Sequence, residues 1–128
     1  MDRQAAIDLI LDHYEHPRHY GALADATFSA EGVNAGCGDV VRFYVRLDRQ
    51  NIISTASFEG QGCTISQAAA SLLTERLTGL PLHEALALGE DDLAAALGRE
   101  VVASRMPCVS LALRVFKAGA QRYIEGQR

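Results

Sequence analysis

The sequence predicts an α+β fold: a small three-stranded antiparallel sheet with helices packed on one side, closed by a long C-terminal helix. Three observations predict it. Apolar residues open the chain at helical spacing, the period switches to two between about Thr27 and Phe58, and a helical stripe resumes after Cys63 and runs to Ile124. With 128 residues, 48% of them hydrophobic and 22% charged, the chain is expected to form one domain over 1–128 with a core that needs no disulfides.

Residues 3–15 read as the first helix, with Ala6, Ile10 and Tyr14 on its inner face and Ile7 and Leu11 beside them. His16-Pro17 ends it and a loop runs to Gly21, because the residue before a proline is driven out of the helical region. Val41, Phe43, Val45 and Leu47 then alternate with Arg42, Tyr44 and Arg46 as a half-buried strand. Asp48-Arg49-Gln50-Asn51 is a polar turn, after which Ile52, Ser54, Ala56 and Phe58 are expected on one face of a second strand. A weaker strand at 27–33 completes the sheet. Residues 65–78 form an Ala- and Leu-rich helix stopped by Gly79. Pro81 opens a short helix through Leu88, and Glu90-Asp91-Asp92 puts acid at the start of another. The last helix begins near Pro107 and buries Val109, Ala112, Leu113, Phe116, Ala120, Tyr123 and Ile124.

Bulk properties exclude several classes of function. A net charge of −4 argues against nucleic acid, which demands clustered Lys and Arg. No apolar run approaches the roughly 20 residues of a membrane span. Met1-Asp2-Arg3-Gln4 leads straight into a helical pattern with no secretory layout, so a cytoplasmic address is expected. Three cysteines in such a chain point away from a disulfide framework.

The three cysteines and one aspartate carry the chemistry. Cys37-Gly38-Asp39 enters the hairpin, Gly60-Gln61-Gly62-Cys63 leaves it, and Cys108 follows Pro107 in the first turn of the last helix. Glycines beside two of the sulfurs permit close backbone approach, and the start of a helix favours a thiolate at Cys108. Three soft thiolates and one hard carboxylate supply the ligand count of one tetrahedral zinc or of a small iron–sulfur cluster. The alternative is that each cysteine is a small buried hydrophobe. The chain has no C-x-x-C pair, so convergence of the four must come from the fold.

Cys-Gly-Asp entering a hairpin, Gly-Gln-Gly-Cys-Thr-Ile-Ser opening an Ala/Ser-rich helix, and a third cysteine starting the C-terminal helix resemble the IscU/SufU/NifU N-terminal family of iron–sulfur cluster assembly proteins. The segment Asp12 to Gly21, with His16-Pro17-Arg18-His19, is similar to that family's opening, and the resemblance runs from about residue 5 to 124. It implies that Cys37, Asp39, Cys63 and Cys108 are ligands of zinc or of a transient 2Fe–2S cluster. It also implies a cysteine desulfurase as sulfur donor and apo-proteins as recipients. A scaffold rather than a true enzyme is the first expectation, with a SufU-type zinc-dependent sulfurtransferase as the alternative and a zinc-stabilised interaction module as a third. The persulfide is expected on Cys37 in the zinc reading and on Cys108 in the scaffold reading.

Departures from the family pattern divide between its branches. Pro107 stands where IscU has a histidine, and Arg99 to Ser104 does not match the IscU segment read by a dedicated chaperone. Arg105 matches an arginine that SufU places near its aspartate ligand. The SufU insertion before the last cysteine is absent. Among smaller signals, His13, His16 and His19 recur every third residue, but Pro17 interrupts the helix there and a surface or capping role is expected for them. His83 is expected in solvent. Arg42 and Arg46 read as a solvated sheet face rather than a docking surface.

Overall fold

The computed structural model describes residues 2–36 and 38–127. Helix α1 spans Arg3–Glu15, followed by strands β1 (Phe28–Asn34), β2 (Asp39–Leu47) and β3 (Ile53–Gln61). Helices α2 (Thr64–Leu77), α3 (Leu82–Ala85), α4 (Glu90–Leu97) and α5 (Arg99–Val102) come next, then a 3₁₀ turn at Ala103–Arg105 and the long helix α6 (Met106–Gly126). The strands form an antiparallel sheet in the order β1-β2-β3. Val41, Phe43 and Val45 of β2 are fully buried on the face that α6 covers, with α2 packed on neighbouring β3, while Arg42, Tyr44 and Arg46 lie on the opposite face. The expected architecture is present: one sheet, helices on one of its faces, a long C-terminal helix.

Helix α6 lies close on β1 because two glycines let it. A Cβ at Gly32 would stand 2.6 Å from Val115 Cγ2, and one at Gly119 would stand 2.9 Å from Ala30 Cβ. Phe116 fills the space beneath, edge-on to Phe43 with ring centroids 6.0 Å apart. Val109, Ala112, Leu113, Phe116 and Ala120 are buried as expected, whereas Tyr123 and Ile124 are half-buried where the helix runs past the core. Among the described residues no helix is long and apolar enough to cross a membrane.

Two local readings of the sequence fail for physical reasons. In β3 the buried apolar residues are Ile53, Ala56 and Phe58, with Ser54 exposed, so Ile52 and Ser54 do not share the inner face. Arg46 pairs with Thr55 but Leu47 pairs with Ile53, leaving Ser54 as an extra residue. One added residue reverses the strand alternation, and the Ser54 hydroxyl binds the Arg46 carbonyl (3.1 Å) across the irregularity. In α1, Tyr14 and Leu11 are 44% and 42% exposed, and His13 takes the inward place at 2%. Its Nδ1 lies 2.7 Å from Ser71 Oγ and its Nε2 lies 3.5 Å from Glu75.

His13 is therefore not a surface histidine; it pins the strap that follows α1. Ser71 Oγ also accepts the Arg18 amide (2.9 Å), and His19 Nδ1 meets Thr74 Oγ1 (3.0 Å). The strap then runs along the outer edge of β3, where the Phe58 amide donates to the His19 carbonyl and the Gly21 amide to the Phe58 carbonyl. His16 and His83 are exposed, as expected. On the outer sheet face Arg42 is paired with Glu31 (2.6 Å) and Arg46 with Asp25, which is a solvated, charge-balanced surface.

Burial, reinforced by the Arg18 charge, holds the His13 imidazole below its ordinary value of 6.5, against a weaker opposing pull from Glu75. The unfolded chain therefore takes up a proton that the folded chain resists. The His13 contribution to stability is present above 6.5 and is lost as pH falls below it. Denaturant melts of metal-free protein are expected to lose more stability between about pH 7.5 and about pH 5.5 in the native chain than in His13→Asn. Equal losses in the two proteins would contradict this.

Candidate metal centre

One end of the sheet gathers the chemistry. Asp39 opens β2, opposite Asn34 at the close of β1, and β3 delivers Gly62-Cys63 to the same end. Helix α6 brings Cys108 across from the other side in its first turn, beside Pro107. The ligand atoms of Asp39, Cys63 and Cys108 all lie within 4.8 Å of one another, so the structure brings together three of the four expected residues. Cys37 lies outside the described residues.

The carboxylate of Asp39 is only 1% exposed. Taking an ionised carboxyl out of water costs several kcal/mol, of the order of a lost charge–charge or charge–dipole contact. The Cys63 amide returns part of this by donating to Oδ1 at 2.9 Å. The other oxygen, Oδ2, stands 3.8 Å from Cys63 Sγ. Zinc bonds of about 2.3 Å to sulfur and about 2.0 Å to oxygen, at a tetrahedral angle, set neighbouring sulfur and oxygen about 3.5 Å apart. The spacing thus fits a shared metal, with Oδ2 as the ligating atom and Oδ1 as the anchor.

Local backbone makes that arrangement possible. Gly38 sits at φ 73°, in the left-handed region that glycine enters freely. A Cβ on Gly60 would stand 2.3 Å from the Val40 carbonyl oxygen, and one on Gly62 would stand 2.4 Å from Asp39 Oδ1 and 2.7 Å from Ser66 Oγ. Gly62 is therefore a cradle for the carboxylate. Cys63 is the N-cap of α2: its sulfur accepts the Ser66 amide at 3.4 Å, and Ser66 Oγ donates to the Cys63 carbonyl at 3.1 Å. The positive end of a 14-residue helix is thus turned toward the site. Cys108 is 3% exposed, while Cys63 is partly open.

Two contributors escaped the sequence reading. Ser66 falls three residues after Cys63, the spacing of a helix-capping motif, and that spacing could have exposed its part. Asn34 falls three residues before Cys37, and its amide nitrogen reaches to 4.0 Å from Cys108 Sγ. Arg105, expected near Asp39, is exposed in the turn before α6 and forms no ion pair among the described residues.

Comparison with known proteins fits this geometry. A family model, the NifU-like N-terminal domain, matches residues 6–128. The chain is 40% identical over 84 residues to the iron–sulfur cluster assembly scaffold protein IscU of Thermotoga maritima, a match covering 66% of this chain and 58% of that protein. It is 30% identical to the zinc-dependent sulfurtransferase SufU of Bacillus subtilis, over 89% of this chain and 88% of the relative. Its fold is shared with the crystal structure of an N-terminal NifU-like protein of Brucella abortus, with a TM-score of 0.75 and 18% identity over 96% of this chain and 99% of that one.

Gly62→Ala is expected to push the Asp39 carboxylate off its anchor while leaving the hydrophobic core untouched. Zinc affinity, measured by competition with a coloured chelator, should fall about 10- to 100-fold, the range seen when a ligand loses its support. Native affinity in this variant would show that the Gly62 cradle does not matter.

Proposed function

The chain belongs to the NifU-like N-terminal domain family, and from that premise we propose that it is a cytoplasmic iron–sulfur cluster assembly protein. In this reading it accepts sulfur from a cysteine desulfurase, gathers a transient 2Fe–2S cluster at Cys37, Asp39, Cys63 and Cys108, and passes it to recipient apo-proteins. The observation that carries the reading is the convergence of Asp39, Cys63 and Cys108 at one end of the sheet. Their donor set suits iron or zinc equally.

Sulfur transfer to this site is a thiol exchange. A thiolate of this chain attacks the terminal sulfur of the donor persulfide; a new S–S bond forms, the donor's S–S bond breaks, and the donor leaves as a thiolate. The candidate acceptors are Cys108 in this reading and Cys37 in the zinc reading, and Cys108 is buried in this conformation. Asp39 supports release. Its carboxylate is a harder and weaker partner for iron than a thiolate. When Oδ2 yields its place, Oδ1 remains tied to the Cys63 amide, so the side chain returns without a search.

A second reading, a zinc-dependent sulfurtransferase, is favoured by the match to SufU along most of the chain and by Pro107 in place of a histidine. There zinc would be resident, held by the same residues, and would supply Lewis-acid stabilisation of the thiolates until an acceptor is needed. A desulfurase assay separates the two readings. Cluster build-up after iron and sulfide supply, seen as visible absorption, supports the scaffold. Faster cysteine turnover with zinc-loaded protein supports the sulfurtransferase. Neither response would leave only an interaction module.

In the scaffold reading Asp39→Ala is expected to lengthen cluster lifetime severalfold in the presence of an apo-ferredoxin, followed anaerobically by absorption. Cys63→Ser and Cys108→Ser should weaken cluster binding. Unchanged cluster content and transfer rate in Asp39→Ala would remove Asp39 from the ligand set.

A further inference from the structure

We propose that Asn34 is a positioning residue that tunes the Cys108 sulfur by donating a hydrogen bond to it, a role that rests on the ligand assignment above. Asn34 ends β1, and its backbone carbonyl accepts the Gly38 amide at 2.8 Å. Its Cα faces that of Asp39 in the strand register. The side chain reaches away from the sheet toward α6, where it shares a groove with Met106, Pro107 and Ser110. The amide nitrogen points at Cys108 Sγ from 4.0 Å, a long N–H···S contact, while the amide oxygen turns back toward Gly36.

Asn34 therefore ties the end of β1 to the first turn of the helix bearing Cys108. A donor aimed at a ligating sulfur withdraws electron density from it, which weakens its donation to the metal and fixes its direction. Asn34 touches no metal in this account and acts through Cys108 alone. Its effect must then appear in the metal–sulfur bond itself and not only in how tightly the site closes.

Cobalt(II) replacing zinc in the full chain reads that bond through the thiolate-to-cobalt charge-transfer band. Asn34→Ala is expected to move the band to lower energy, because the sulfur becomes a stronger donor, and to change zinc affinity by about 10-fold, the low end of outer-shell effects. Asn34→Asp keeps the shape but sets a carboxylate against the sulfur, and should shift the band further in the same direction. Melting temperatures of the metal-free proteins control for folding. The proposal is overturned if the band stays in place in both variants, whether or not affinity falls, since loss of affinity alone would mean a merely structural turn residue. If native protein shows no thiolate-to-cobalt band at all, the ligand assignment fails first, and the two failures are thereby told apart.

Discussion

One hydrogen bond organises the functional end of this molecule: the Cys63 amide donating to Asp39 Oδ1. It joins the first residue of β2 to the N-cap of α2 across the end of the sheet. Every neighbouring choice follows from making room for it. Gly62 leaves the space that a Cβ would take from the carboxylate, and Gly60 lets β3 pass within contact of the Val40 carbonyl. Burial of an acid is costly unless charge or hydrogen bonds answer it. The acid is held where a cation bound by two nearby sulfurs would answer it.

The rest of the fold works as a frame around that contact. Antiparallel pairing fixes the heights of Asn34, Asp39 and Gln61 at one end of the sheet. Helix α6 presses onto β1 through Gly32 and Gly119, and this close approach delivers Cys108 to the same end. The strap after α1, held by His13, Ser71 and Thr74, closes the outer edge of β3 and places Tyr20 on Phe58, with ring centroids 5.1 Å apart. Residues far apart in sequence thus meet because rigid elements carry them, while the candidate ligand atoms of Asp39, Cys63 and Cys108 sit at the ends of those elements.

Much of this was legible beforehand. Alternation in Val41, Phe43 and Val45 marks a strand whatever the partner, and the stripe from Val109 to Ala120 marks a buried helix face. Glycines around Cys63 announced the close approach that Gly62 makes to Asp39. What stayed hidden depends on cross-chain pairing. The extra residue at Ser54 is visible only once Arg46 and Leu47 have partners. His13 reads as polar by itself, yet Ser71 and Glu75, far along the chain, give it a buried place. Asn34 looks like a turn residue until α6 is laid beside it.

X-ray absorption at the zinc edge of the metal-loaded protein tests the central claim most directly, because it counts the atoms around the metal without assuming a function. A site built from Cys37, Asp39, Cys63 and Cys108 predicts three sulfurs at about 2.3 Å and one oxygen at about 2.0 Å, with the oxygen component lost or replaced in Asp39→Ala. A shell of oxygen and nitrogen alone, or one unchanged by that substitution, would contradict the account.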